Sequence, residues 1–137
     1  MTYRTPPLPE HYHNPTPGIC RWCNKAIGLT KTGRESKSTW HPECVIEYKM
    51  LFHPSYTRRA VWKRDNGSCK QCGTKCKRKG APKWHMDHIT PLIEASGDIK
   101  YWKMENLQTL CEKCHKEKTA KEAAGRAFKR RLSKDAL

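Results

Sequence analysis

The sequence predicts a small α+β fold stapled by zinc, and three observations point there. Only 36% of its 137 residues are hydrophobic, and a thin core in a chain of this size needs staples. Its eight cysteines fall largely in C-x-x-C and H-x-x-C pairs, the spacing of metal knuckles. Between the last two pairs the residue pattern reads as strand, loop and returning strand, and a run rich in helix formers follows.

The elements can be taken in chain order. Residues 1–18 carry five prolines and are expected to form a disordered arm. The opening "MTYRTPPLPEHYHNPTPG" has no apolar signal-peptide core, and no apolar run could span a membrane. The expected setting is therefore cytoplasmic, in association with nucleoid or host-cell DNA, and not secreted. In such a compartment paired cysteines read as zinc ligands rather than disulfides.

Residues 19–54 are expected to form a zinc finger. Cys20-x-x-Cys23 is separated by seventeen residues from His41-x-x-Cys44, and "TWHPEC" places His41 and Cys44 on one turn. Three thiolates and an imidazole make a complete shell for zinc, which implies a structural role. This unit resembles half of a LIM-type or treble-clef finger. Next, "SYTRRAVWKRDNG" carries Tyr56, Ala60, Val61 and Trp62 on a short helix with a basic outer face, stopped by Asn66-Gly67. It opens a second domain over 55–132, followed by a flexible tail at 133–137.

That domain contains a second set, Cys69-x-x-Cys72 and Cys111-x-x-Cys114, with thirty-eight residues between the pairs. Glycines flank "GSCKQCG", where the backbone must curl round a metal. Four thiolates fill a tetrahedral zinc, so Cys76 is left over, a free thiol or a replacement for a neighbouring ligand, and His115 is surplus to the structural ion. Within the interval, Asp87 and His88 are adjacent on the first predicted strand and point to opposite sides of it. One can bind a metal while the other approaches the same substrate from elsewhere. His85 shares the Asp87 face, where a third ligand or a phosphate contact are the alternatives.

Charge narrows the partner. Lys plus Arg number 28 against 13 acidic residues, a net +15. Ten basic side chains lie between Arg58 and Lys83, opposed only by Asp65. A merely solvated surface mixes both signs, so this excess favours a polyanion, and nucleic acid suits it better than an anionic membrane. Arg58, Arg59, Lys77, Arg78, Lys79 and Lys83 are the expected phosphate contacts, extended by Lys129–Arg131. Such contacts position a backbone without reading its sequence.

Taken together, "RDNGSCKQCG", "DHITPL" and "NLQTLCEKCHKEKT" resemble the HNH endonuclease family and its ββα-metal core, over about residues 56–122. The N-terminal unit followed by the "YTRRAVWKRD" helix is similar to HNH domains attached to fork-remodelling helicases. The family resemblance implies that Asp87 and His115 hold one divalent cation, Mg²⁺ or Mn²⁺. It implies that His88 is the general base and that Asn106 orients it by tying the loop to the backbone. It further implies hydrolysis of DNA, duplex, nicked or branched, to 5′-phosphate and 3′-hydroxyl ends. No helix stands out as a base reader, so low sequence specificity or a preference for structure is expected ahead of a site-specific restriction enzyme. RNA stays an alternative substrate because the motif does not test the sugar. The competing reading is a catalytically inactive two-zinc nucleic-acid-binding module, against which Asp87, His88 and His115 are all present.

Overall fold

The computed structural model describes residues 6–135. Its regular elements are α1 (Pro42–Phe52), α2 (Pro54–Arg64), β1 (Trp84–His88), β2 (Leu107–Cys111) and α3 (Glu112–Asp135), joined by turns and short 3-10 segments. The small α+β class and the order strand, loop, strand, helix are those the sequence predicts.

The chain forms two compact units. One takes the described residues up to Arg58 together with Thr90–Asn106, and the other takes Arg59–Ile89 with Leu107 onward. The β1–β2 loop, expected to belong wholly with the second domain, thus groups with the N-terminal residues. The reason is apolar: Ile99 packs against the cluster built on Cys20, Trp22 and Cys44.

In the first unit the core is largely aromatic. Tyr12, Trp40, Tyr48 and Phe52 pack around the buried Cys20, Trp22 and Cys44. This corrects the expected disorder of residues 1–18 for their described part. Glu10–His13 makes a 3-10 turn, Tyr12 stacks on Tyr48 at 5.9 Å, and the Arg21 guanidinium lies 4.3 Å above the Tyr12 ring. Arg21 also donates to the Tyr12 carbonyl at 2.7 Å. One half-buried aromatic ring with a cation over its face outweighs the extended bias of the flanking prolines. Residues 1–5 of that arm lie outside the described residues.

Helix α2 departs from its expected face in one respect. Val61 is fully buried as predicted, but Tyr56 is exposed and Thr57 is buried in its place. The Thr57 hydroxyl is satisfied by the Met50 carbonyl at 2.6 Å, so a polar side chain enters the interior without an orphaned group. The helix stops where Asn66 and Gly67 take φ of 54° and 69°. A Cβ at Gly67 would come within 2.9 Å of the Trp62 ring, so this position needs glycine for space as well as for conformation.

In the second unit β1 and β2 pair antiparallel, from Trp84 opposite Cys111 to His88 opposite Leu107. The core gathers Trp84, Leu110, Cys69, Cys76, Cys111 and Cys114, with Trp62 and Met86 against it. Asp65, the lone acid in the basic stretch, ties the end of α2 to β2. Its Oδ2 accepts from the Thr109 amide at 2.9 Å, its Oδ1 accepts from Arg64 Nε at 2.8 Å, and Arg64 Nη2 donates to the Leu107 carbonyl at 2.5 Å. Burial raises the Asp65 pKa, but the bonds from Arg64 and Thr109 outweigh it and hold the carboxyl below its usual value of 3.8. Helix α3 then continues to Asp135. The expected tail from residue 133 is therefore helical that far, since neither proline nor glycine follows Gly125 to stop it; residues 136–137 lie outside the described residues.

Asp65→Ala is expected to cost about 2–3 kcal/mol, because the buried Thr109 amide and the Arg64 fork both lose their acceptor. Denaturant melts of the zinc-loaded protein measure this, with Lys63→Ala as a surface control.

Candidate functional site

Two ligand clusters are assembled as the spacing predicts. In each of the sets Cys20, Cys23, His41, Cys44 and Cys69, Cys72, Cys111, Cys114, the ligand atoms all lie within 4.8 Å of one another. Both fit a tetrahedral zinc, whose bonds to sulfur run to about 2.3 Å. Each opening pair sits on a knuckle. The Cys20 amide donates to Lys25 and the Cys69 amide to Thr74, at 2.9 and 2.8 Å, while Asn24 and Gly73 donate back to the two cysteine carbonyls. Asn24 and Gly73 carry φ of 62° and 78°, the left-handed turn that curls the chain round an ion.

The closing pairs come from helix starts. His41 caps α1 and Cys44 lies in its first turn, while Cys111 ends β2 and Cys114 lies in the first turn of α3. His41 Nε2 is 3.1 Å from the Ala26 carbonyl. That oxygen only accepts, so the proton resides on Nε2 and the Nδ1 lone pair is free for the metal. Nδ1 lies 3.3 Å from Cys23 Sγ.

Without an ion, four close thiols cannot all ionise. Burial raises Cys20, but backbone bonds from Cys23 and His41 prevail and bring it down to about 6. Burial and the neighbouring Cys20 and Cys23 push Cys44 up to about 12. In the other set, bonds from Thr74 pull Cys72 down to about 6, whereas burial and the adjacent thiols drive Cys114 up. A dication removes that conflict by stabilising every thiolate. Cys76 stays outside the set, buried against the same core, with burial raising its thiol.

His115, the residue left over from the thiolate count, turns toward β1. Its Nε2 is 3.9 Å from Asp87 Oδ1, too far for a hydrogen bond. Two metal–ligand bonds of about 2.1 Å each can bridge such a gap. His85 does not complete a third cluster; its ring stacks on His115 with centroids 4.4 Å apart. Among the described residues, groups of three or more potential ligands occur only at the two cysteine-rich sets. Asp87 and His115 therefore offer an open pair, with most of a cation's shell left for water and phosphate oxygen. His88 is partly buried. Burial lowers its pKa below 6.5, with the Lys118 ammonium acting the same way and Asp87 opposing.

Two residues at this site were not anticipated. Gln108 Nε2 donates to Asp87 Oδ2 at 2.9 Å, and Lys118 Nζ lies 3.1 Å from the same oxygen. Lys118 also donates to the His88 carbonyl at 2.9 Å and contacts the Glu122 carboxylate. The signal was available in part, since Lys118 lies three residues beyond His115 and so on the same helix face. Gln108 becomes visible only once the register sets it opposite Asp87.

Asn106 spends its whole amide on the loop. Its Oδ1 accepts from the Thr90 amide at 2.9 Å, and its Nδ2 donates to the Thr90 and Tyr101 carbonyls at 3.0 and 2.9 Å. Thr90 is two residues along the chain from His88. The expected phosphate contacts Arg58, Arg59, Lys77, Arg78, Lys79 and Lys83 are all exposed. A groove of about 780 Å³, lined by Cys72, Pro82, Lys83, Glu112 and Lys113 among others, borders the four-cysteine set rather than Asp87.

Comparison with known proteins bears on this arrangement. The family profile of HNH endonucleases matches residues 69–121. A probable HNH endonuclease of Lactococcus phage SK1 is 36% identical over 73 residues, covering 50% of this chain and 71% of that protein. The chain belongs to the HNH endonuclease family. The matched span encloses both cysteine pairs of the second zinc set, with Asp87, His88, Asn106, Gln108, His115 and Lys118. The mouse DNA annealing helicase and endonuclease ZRANB3 is 30% identical over 128 residues, which cover 66% of this chain but only 12% of that protein. Its human counterpart is 26% identical over 157 residues, 84% of this chain and 14% of that protein. No solved structure is significantly similar. Membership of the HNH family supports nuclease function in general terms. No helix among the described residues is long and apolar enough to cross a membrane.

Metal analysis of the purified HNH protein should return two zinc ions per chain. Cys72→Ser should reduce this to about one, because a hydroxyl replaces a thiolate in a set that has no fifth donor. Cys76→Ala should keep both, and its loss of either ion would show that Cys76 is a ligand.

Proposed function

We propose that this HNH protein is a metal-dependent DNA endonuclease that leaves 5′-phosphate and 3′-hydroxyl ends, acting on duplex, nicked or branched DNA with little sequence preference. The observation that carries the reading is the open Asp87–His115 pair, 3.9 Å apart, with His88 next along β1. Mg²⁺ or Mn²⁺ held there supplies neutralisation of the scissile phosphate and of the departing 3′-oxygen.

The remaining work falls to the chain. A lowered pKa keeps the His88 imidazole neutral near pH 7, the state in which it takes a proton from the attacking water. Asn106 fixes the backbone at Thr90, and with it the end of the strand segment that carries His88. Lys77, Arg78 and Lys79 precede β1 by a few residues and would grip phosphates on either side of the cut, independently of base sequence. The similarity to ZRANB3, whose name joins a DNA annealing helicase to an endonuclease, favours branched or replicating DNA among the substrates. No base-reading helix stands out in the sequence, which suits a nuclease that selects by shape.

Supercoiled plasmid is expected to be nicked or linearised with Mg²⁺ or Mn²⁺ and to survive in EDTA. His88→Ala should slow cutting by about 10²–10⁴-fold while leaving DNA binding intact, the usual size of a general-base contribution. Binding without cutting, on duplex, nicked and branched DNA alike, would instead make the protein a two-zinc binding module.

A further inference from the structure

The two oxygens of Asp87 are used differently. Oδ1 faces His115 Nε2 at 3.9 Å. Oδ2 accepts from Gln108 Nε2 at 2.9 Å and from Lys118 Nζ at 3.1 Å. A carboxylate only accepts, so the Gln108 amide must present its NH₂ side, and its orientation is fixed by chemistry. The two donors arrive from different elements, Gln108 on β2 and Lys118 on α3. Rotation of the carboxylate about its last torsion, otherwise broad, would break both bonds at once.

We propose that Gln108 and Lys118 are positioning residues that hold Asp87 Oδ2 so that Oδ1 alone is presented to the catalytic cation. Neither touches substrate or the reacting atoms on this account. The proposal rests on the Asp87–His115 metal reading above and adds the device that aims one of its ligands. Lys118 extends the device to the base, since its ammonium also binds the His88 carbonyl at 2.9 Å and is held from behind by Glu122. Asp87 is nearly buried, 8% exposed, so water is a poor substitute for either donor.

Electrostatics and aim make opposite predictions for Lys118. An ammonium beside the ligand repels an incoming dication, so its removal should tighten metal binding if charge were its only role. If Lys118 aims the carboxylate, removal should weaken binding despite the charge lost. Gln108 is neutral and can act only through aim.

The test is Mn²⁺ binding to the full-length, zinc-loaded protein without DNA, read by calorimetry and by the Mn²⁺ electron paramagnetic resonance signal. Zinc content and melting temperature are measured beside it. Gln108→Leu and Lys118→Met should each weaken Mn²⁺ binding by about 10–100-fold, the range found when partners of metal ligands are removed, with both zinc ions retained. Affinity within about twofold of wild type in Gln108→Leu, or tighter binding in Lys118→Met, would overturn the assignment for that residue. Asp87→Asn separates this from the reading beneath it. If wild type binds Mn²⁺ and Asp87→Asn does not, the site is established and the two variants judge the aim alone. If wild type and Asp87→Asn bind Mn²⁺ equally, the metal reading itself fails, and the positioning role with it.

Discussion

The second unit depends on a single constraint, the convergence of Cys69 and Cys72 with Cys111 and Cys114. The unit has one two-stranded sheet, and an isolated pair of strands is marginal in water. The thiolate set joins a knuckle, the end of β2 and the first turn of α3. A tetrahedral ion accepts its four sulfurs only in a narrow range of separations, so it fixes the direction in which α3 leaves the sheet. His115 follows Cys114 immediately and inherits its placement opposite Asp87 from that direction. The Asp65–Arg64 latch adds a second fixed point, tying the end of α2 to Leu107 and Thr109. A metal held by these thiolates, together with a buried carboxylate, would do for this unit what a larger apolar core does elsewhere.

Much of this was legible because metal ligation is a counting problem. Seven of the eight cysteines fall in paired spacing and leave few partitions, and four ligands per ion made His115 surplus before any geometry was known. Strand–loop–strand–helix order was legible too, since Asp87-His88, Asn106 and the second C-x-x-C fall in segments of distinct composition. What escaped was long-range. The sequence does not reveal that Ile99 packs on the aromatic cluster of the N-terminal unit. Nor does proline-rich composition reveal that Tyr12 finds Tyr48 and Arg21. In both cases burial of one or two side chains decided a segment that its local propensity left open.

The site shows the same division between local and distant information. Asp87, His88 and His115 stand out by residue type. Gln108 and Lys118 do not, because a glutamine in a strand and a lysine on a basic helix are the least informative residues at their positions. Their meaning comes from register and helix phase, which bring both to one carboxylate oxygen. Asp65 lies between these cases. One acid among ten bases between Arg58 and Lys83 is anomalous in charge, and the anomaly has a structural cause: its acceptors serve a buried amide and an arginine.

A lysine inside a site proposed to bind a dication looks self-defeating, yet the charges argue for it. Asp87 is nearly buried, and a buried carboxylate with no partner is costly. Before a cation arrives, Lys118 supplies the counter-charge, and Glu122 beside it keeps the local total at minus one: Asp87 and Glu122 against Lys118. On the proposed metal reading, an incoming dication would meet a net negative site whose carboxylate is already aimed. A glutamine in place of Lys118 would satisfy the geometry but leave the two acids without their counter-charge. A methionine would satisfy neither. On that reading the ammonium is tolerated because it holds one oxygen of Asp87 while the other would stay open to the metal, so the counter-ion and the metal need not compete for the same atom.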